Sequence, residues 1–138
     1  MIDRAALGEL VFEDAGARRE LERIVHPEVM RRLREWLDRT REAGQRGAAA
    51  VIPLLFEVGE EDLWDAVICV SADERHVLAR LLRRGLDERR ARLRMEAQMP
   101  LEEKEQRSDY VIRNNGTLAA LAEDTKRNWQ ALLRKERR

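Results

Sequence analysis

The sequence predicts an α/β protein in which short parallel strands alternate with helices. Three observations carry the prediction. Two short apolar runs, Ala48–Ile52 and Ala66–Val70, have the continuous apolar character of strands buried on both faces. A third short run, Tyr110-Val111-Ile112, leads into the turn Asn114-Asn115-Gly116. Segments with helical periodicity fill the stretches between and around them, and that alternation implies parallel strands joined by helical crossovers.

The first stretch is read as helical, with Leu7, Leu10 and Val11 forming one apolar set and Leu21, Ile24 and Val25 another. Asp14-Ala15-Gly16 breaks or bends the path between them. Pro27 disfavours helical geometry at His26, so a new helix is expected after it, carrying Val29, Leu33, Trp36 and Leu37 on one face. That helix should end near Ala43-Gly44, where glycine can adopt the left-handed capping conformation. Pro53 closes the first strand, and Leu54-Leu55-Phe56 continue into a loop or short turn ending at Glu57. After the second strand, Ser71 and Glu74 have capping-box spacing, so a helix with Val77, Leu78, Leu81 and Leu82 should start at Ala72 and stop at Gly85. A very basic helix follows from Glu88 to about Gln98, halted by Pro100. A polar helix spans Leu101–Arg107. Thr117 can cap the last helix, whose expected core face is Leu118, Leu121, Ala122, Trp129, Leu132 and Leu133.

A chain of 138 residues fits one domain with room for a real core. Charged residues reach 39%, above the usual quarter, yet 27 basic and 27 acidic residues balance. No global field therefore draws the chain to nucleic acid or membrane. No early segment resembles a signal peptide and no run approaches membrane-spanning length, so a cytoplasmic protein is expected. Cys69 is the single cysteine; it has no internal disulfide partner and reads as a buried inert thiol.

Ligands of open α/β sheets bind beyond the carboxyl ends of the strands, which here means Pro53–Glu57, Ser71 onward and Arg113–Gly116. Arg80, Arg83, Arg84, Arg89, Arg90, Arg92 and Arg94 lie on two helices joined around Gly85. Such a hairpin can fold over phosphate groups, or it can be a solvated surface laced with ion pairs to Glu88, Glu96, Glu102 and Glu103. His26 is either an imidazole exposed to a ligand at a helix start or a structural histidine. Glu57 is either a site carboxylate or a surface glutamate. His76 reads as a solvated helix position, and the three tryptophans, Trp36, Trp64 and Trp129, as packing residues. One cysteine and two distant histidines supply no zinc site. The seven glycines are scattered, and nowhere is there a G-x-x-x-x-G-K-[ST] phosphate loop.

Four segments, in order, resemble dephospho-coenzyme A kinases of bacteria across essentially the whole chain. Ile2-Asp3-Arg4-Ala5-Ala6-Leu7, with Val11-Phe12 and Leu21-Glu22-Arg23-Ile24-Val25-His26-Pro27, resembles the family's substrate-side helical region. Val51-Ile52-Pro53-Leu54-Leu55-Phe56-Glu57 is similar to its strand-loop beside the active site. Arg80-Leu81-Leu82-Arg83-Arg84, with Ala91-Arg92-Leu93-Arg94 and Ala97-Gln98-Met99-Pro100, resembles its mobile lid. Ser108-Asp109-Tyr110-Val111-Ile112, then Asn114-Asn115-Gly116, is similar to its last strand and nucleotide-side loop.

The resemblance implies one partial kinase domain over residues 1–138, helical on the substrate side over about 1–46, with the remaining sheet over 47–138 and the lid at about 80–107. The implied fold is a three-layer, P-loop-kinase-like parallel sheet with helices on both faces, incomplete because its first strands are missing. The implied reaction moves the γ-phosphoryl group of ATP, with Mg2+, to the ribose 3′-hydroxyl of dephospho-coenzyme A. Arg84 and Arg94 match catalytic lid positions, and Asn114 and Gly116 match positions bordering adenine. His26, Pro27 and Glu57 match the acceptor side, with individual roles left open. The family's phosphate loop and the aspartate that serves the acceptor hydroxyl would lie upstream of Met1, so the chain alone is expected to be inactive. Arg113 stands where the family commonly has an acidic residue, and the lid turn Arg84-Gly85-Leu86-Asp87 is slightly short. The missing strand would sit between those matching Ala48–Ile52 and Ala66–Val70, so the chain should pair those strands directly, self-associate or require the absent segment. The alternative function is a non-catalytic dephospho-coenzyme A-binding or regulatory module; a nucleic-acid binder is disfavoured by the balanced charge.

Overall fold

A computed structural model describes residues 2–135, and its internal contacts divide the chain into two units, Met1–Leu54 and Leu55–Arg138. The first unit is a helical pair. Helix α1 (Arg4–Glu13) ends before Asp14, which caps α2 (Ala15–Glu42) by accepting from the N–H groups of Gly16 at 2.6 Å and Ala17 at 3.2 Å. The expected break between the two apolar sets therefore falls at Asp14. The expected break at His26-Pro27 does not occur: Pro27 lies inside one 28-residue helix. An interior proline removes one helical hydrogen bond and costs about 3 kcal/mol. Regular helix on both sides offsets this, with surface ion pairs Arg23–Glu20, Arg31–Glu28 and Arg32–Glu28 at 2.7–2.8 Å flanking the proline. The helix ends as expected. Gly44 has φ +66°, its N–H bonds the Arg41 carbonyl, and the Gln45 N–H bonds the Thr40 carbonyl, the paired bonds of a Schellman cap. Among the described residues, Val11, Met30 and Leu37 are the buried apolar residues of this unit.

The expected strand Ala48–Ile52 is not formed. These residues carry no regular secondary structure and no ladder, and Val51 is 98% exposed. A strand exists only by pairing, and apolar character alone does not provide a neighbour.

The second unit begins in turns over residues 55–59 and a short 3-10 turn, Glu61–Leu63. Its sheet has two parallel strands, β1 (Ile68–Ser71) and β2 (Tyr110–Arg113), in the register Ile68↔Tyr110 to Ser71↔Arg113. Between them run α3 (Glu74–Arg83), α4 (Glu88–Glu96) and α5 (Leu101–Gln106), and α6 (Leu118–Lys135) follows β2. The α/β class and the parallel strands agree with the sequence, with two strands rather than three among the described residues. Helix α3 starts at Glu74, not Ala72. Ser71 is the last residue of β1 and 4% exposed, so the Ser71/Glu74 capping box is not made. Gly85, at φ +89°, closes α3 with the same paired cap, its N–H to Leu82 and the Leu86 N–H to Leu81. Asp87 then caps α4 by accepting from Arg90 N–H at 2.8 Å. Ala91 on α4 is fully buried, which lets the two lid helices approach closely.

Thr117 caps α6 as expected, accepting from Ala120 N–H at 3.2 Å. The expected core face of α6 is largely in solvent: Leu118 is 84% and Trp129 53% exposed, and Leu133 and Ala122 are exposed too. On β1, Ile68 and Val70 are also exposed, whereas Ile112 of β2 is buried. Trp36 and Trp64 are half-buried. Among the described residues no helix is long and apolar enough to cross a membrane.

Candidate active site

The carboxyl ends of β1 and β2 lie side by side, and a set of non-local hydrogen bonds fixes the loops that leave them. The ladder extends one step when Asn114 N–H donates to the Ser71 carbonyl at 2.7 Å. Asp73 and Asn115 then bond reciprocally: the Asp73 N–H donates to Asn115 Oδ1 at 2.8 Å, and Asn115 Nδ2 donates to the Asp73 carboxylate at 2.6 Å. Asp73 precedes α3 without capping it by its side chain, because that side chain serves Asn115. From the next turns of α3, Arg80 donates to the Asn114 carbonyl at 2.6 Å and to Asn114 Oδ1 at 3.1 Å. The loop Asn114–Gly116 is thereby pinned to the root of the lid.

Arg84 is the exposed C-terminal cap residue of α3, and its N–H bonds the Arg80 carbonyl at 3.2 Å. Arg94 is exposed in the last turn of α4. Both sit on the hairpin closed at Gly85. Asn114 is half-buried. Gly116 is exposed, and a Cβ there would meet the Ala120 Cβ at an ordinary 3.6 Å, so this backbone does not itself demand glycine. His26 and Pro27 lie in the first unit, mid-helix in α2; His26 is half-buried and not at a helix start.

Glu57 is held by residues on either side of the start of α5. Its carboxylate accepts from Lys104 Nζ at 2.7 Å and from Met99 N–H at 3.0 Å, and its side chain keeps only 21% of its exposure. Lys104 is covered further, at 13%. Burial pushes the Glu57 carboxyl up, but the bonds from Lys104 and Met99 outweigh it and hold it below the usual 4.5. Beside it, Arg107 pairs with Glu61 and lies over the ring of buried Phe56, 4.8 Å from the centroid. Residues 56–61 are thus clamped to residues 99–107. Sequence reasoning missed the Lys104 and Arg107 ends of this clamp and the Arg80–Asn114 link, because partners far apart in the chain leave no periodic signal.

Two further groups differ from expectation or refine it. His76 is half-buried, with Nδ1 3.8 Å from Asp73, rather than solvated. Cys69 is half-buried, and burial raises its thiol above the usual range, which suits an inert role. Among the described residues no three metal-ligating side chains gather.

The depressed carboxylates give a pH dependence with a definite sign. Glu28 is lowered from 4.5 to about 2 by hydrogen bonds from Arg31 and Arg32. Asp124 is lowered from 3.8 by Arg127 and by the Arg113 N–H, and Glu57 is lowered as described. A carboxyl depressed in the fold stabilises it above its unfolded pKa and loses that contribution as pH falls through the folded value. The thermal midpoint should therefore be flat above about pH 5 and fall steadily towards pH 2. In Glu57→Gln the fall should be shallower; an unchanged slope would remove Glu57 from this account.

Comparison with known proteins now places the chain. The sequence model of the family described as dephospho-CoA kinase (CoaE) matches residues 1–120. Curated dephospho-CoA kinases of Syntrophotalea carbinolica and Anaeromyxobacter dehalogenans are each 47% identical, over 85% and 88% of this chain. The chain spans only 56% and 58% of their lengths. A crystal structure from Thermus thermophilus matches 96% of this chain and 66% of its own, with a TM-score of 0.69 and 37% identity. The dephospho-CoA kinase from Campylobacter jejuni matches 98% of this chain and 67% of its own, with a TM-score of 0.62 and 27% identity. The chain belongs to the dephospho-CoA kinase family and corresponds to the C-terminal part of its members.

Proposed function

We propose that this chain forms the lid, acceptor-side and nucleotide-side parts of a dephospho-coenzyme A kinase, and that transfer also requires the phosphate-loop segment. The observation that carries the reading is the arginine hairpin of α3 and α4, rooted by Arg80 on the Asn114–Gly116 loop at the strands' carboxyl ends. In phosphoryl transfer the protein chiefly positions the groups and neutralises the phosphate oxygens. Arg84 and Arg94 would supply that neutralisation from above, and Asn114 and Gly116 would border the adenine of ATP. The 3′-oxygen of the acceptor forms a bond to the γ-phosphorus as the bond to the β,γ-bridging oxygen breaks. ADP leaves, and the hydroxyl proton passes to the aspartate of the phosphate-loop segment. His26 and Pro27 belong to the acceptor side. Glu57 would act within the second unit, holding its own loop against Lys104 and Met99.

The 138 residues contain no G-x-x-x-x-G-K-[ST] loop, which favours one second reading: a module that binds the acceptor without transferring phosphate. Calorimetric titration separates these readings from an unrelated function. Dephospho-coenzyme A should bind saturably to the 138-residue chain, and ATP should bind more weakly than to a kinase with its phosphate loop. Failure of both ligands to bind a folded chain would overturn both readings.

A further inference from the structure

The lid and the nucleotide-side loop are separate in sequence yet meet at one side chain. Arg80 is half-buried on α3, and one of its terminal nitrogens donates to both the backbone carbonyl and the side-chain oxygen of Asn114, at 2.6 and 3.1 Å. Asn114 is also fixed through its N–H to Ser71, and Asn115 through its two bonds with Asp73 at the start of α3. The loop thus has three attachments, and two of them end on α3 or on the residue that begins it. Arg84 caps α3 four residues after Arg80, and its N–H bonds the Arg80 carbonyl at 3.2 Å, so the two are joined through the last turn of the helix. A displacement of Asn114 must therefore move Arg80, and with it the helical turn that carries Arg84.

We propose that Arg80 is a positioning residue that couples the Asn114–Gly116 loop to the lid arginine Arg84. When the loop is occupied, the Asn114 carbonyl is held and α3 is locked in the orientation that sets Arg84. When Arg80 is removed, the loop and the lid root move independently. Among the described residues, Arg80 is the side chain that donates to the Asn114 carbonyl. Lysine would carry the charge but not the planar fork, so it could satisfy only part of the contact. The coupling rests on the nucleotide reading above for its ligand, but not for its geometry.

The test uses the full chain with Arg80→Ala and Arg80→Lys, read by backbone hydrogen exchange and by equilibrium binding of ATP. Arg80→Ala should speed exchange both over 113–117 and over the lid turn 84–88, while α2 keeps its protection. A bond from a charged donor is strong enough that its loss should weaken ATP binding about tenfold. Arg80→Lys should recover the thermal midpoint but less than half of the lost exchange protection. That split distinguishes positioning from simple folding support. If Arg80→Ala loosens the loop and leaves the lid turn unchanged, or loosens neither, the coupling is wrong. If ATP does not protect the wild-type loop, the nucleotide reading fails instead, and the exchange of the two segments still decides the coupling.

Discussion

Replacing Arg84 or Arg94 by alanine should reduce phosphoryl transfer about 10³-fold or more in an assay where a phosphate-loop segment is present, the scale expected for an arginine that neutralises a transferring phosphoryl group. Both residues are exposed on the hairpin and support little of the core, so the fold should survive their loss. The effect should fall on kcat, because the charge they meet is greatest in the transition state. Lysine at either position should restore only part of the rate, since it lacks the bidentate fork. A variant that changed KM for ATP alone would place that arginine on ground-state binding instead. Retention of full rate in both variants would make the hairpin a solvated surface, the other reading its glutamates allow.

Replacing Glu57 by alanine should have the largest effect among non-catalytic substitutions. It removes the acceptor of two hydrogen bonds and leaves Lys104, only 13% exposed, without that carboxylate. Loss of a charged hydrogen-bond partner at a largely covered site costs about 1–3 kcal/mol. That is enough to lower the midpoint of a domain this size by several degrees. Glu57→Gln keeps the shape and one acceptor, and should recover part of the loss. Chemical denaturation followed by circular dichroism measures the difference. The expectation separates two roles the sequence left open: a carboxylate that only contacts acceptor would change binding and leave stability untouched.

How much could be read from the sequence depended on how local each determinant is. The caps at Gly44, Gly85 and Thr117 and the break at Asp14 are written in a few adjacent residues, although the sequence marked Asp14 only as a break and not as the cap it is. β2 was legible for the same reason, lying between a polar helix and an Asn-Asn-Gly turn. Pro27 misled because the residue before proline is only biased away from helix, and the flanking turns outweigh that bias. Ala48–Ile52 misled because apolar content shows what a segment can bury and not whether a neighbouring strand is there. The α6 face failed likewise: Leu118 and Trp129 mark an apolar stripe, but nothing local says what covers it. Ser71 and Glu74 have capping-box spacing, yet the helix yields its first turn to the Asp73–Asn115 pair.

The same contrast holds at the site. The lid arginines were legible as a charge pattern, and the family resemblance added which of them to single out. The bonds that root them, Arg80 to Asn114 and Glu57 to Lys104, join residues far apart in the chain and appear only once the fold brings them together. Likewise Ile68 and Val70 on β1 are exposed although apolar, which the sequence read as buried.

The most direct test is release of ADP from ATP and magnesium, measured with and without dephospho-coenzyme A, for the 138-residue chain alone and with a relative's phosphate-loop segment added. The account predicts no acceptor-dependent ADP from the chain alone and acceptor-dependent turnover once the segment is supplied. Turnover by the chain alone would contradict it, because phosphate would then be held by residues other than a glycine-rich loop.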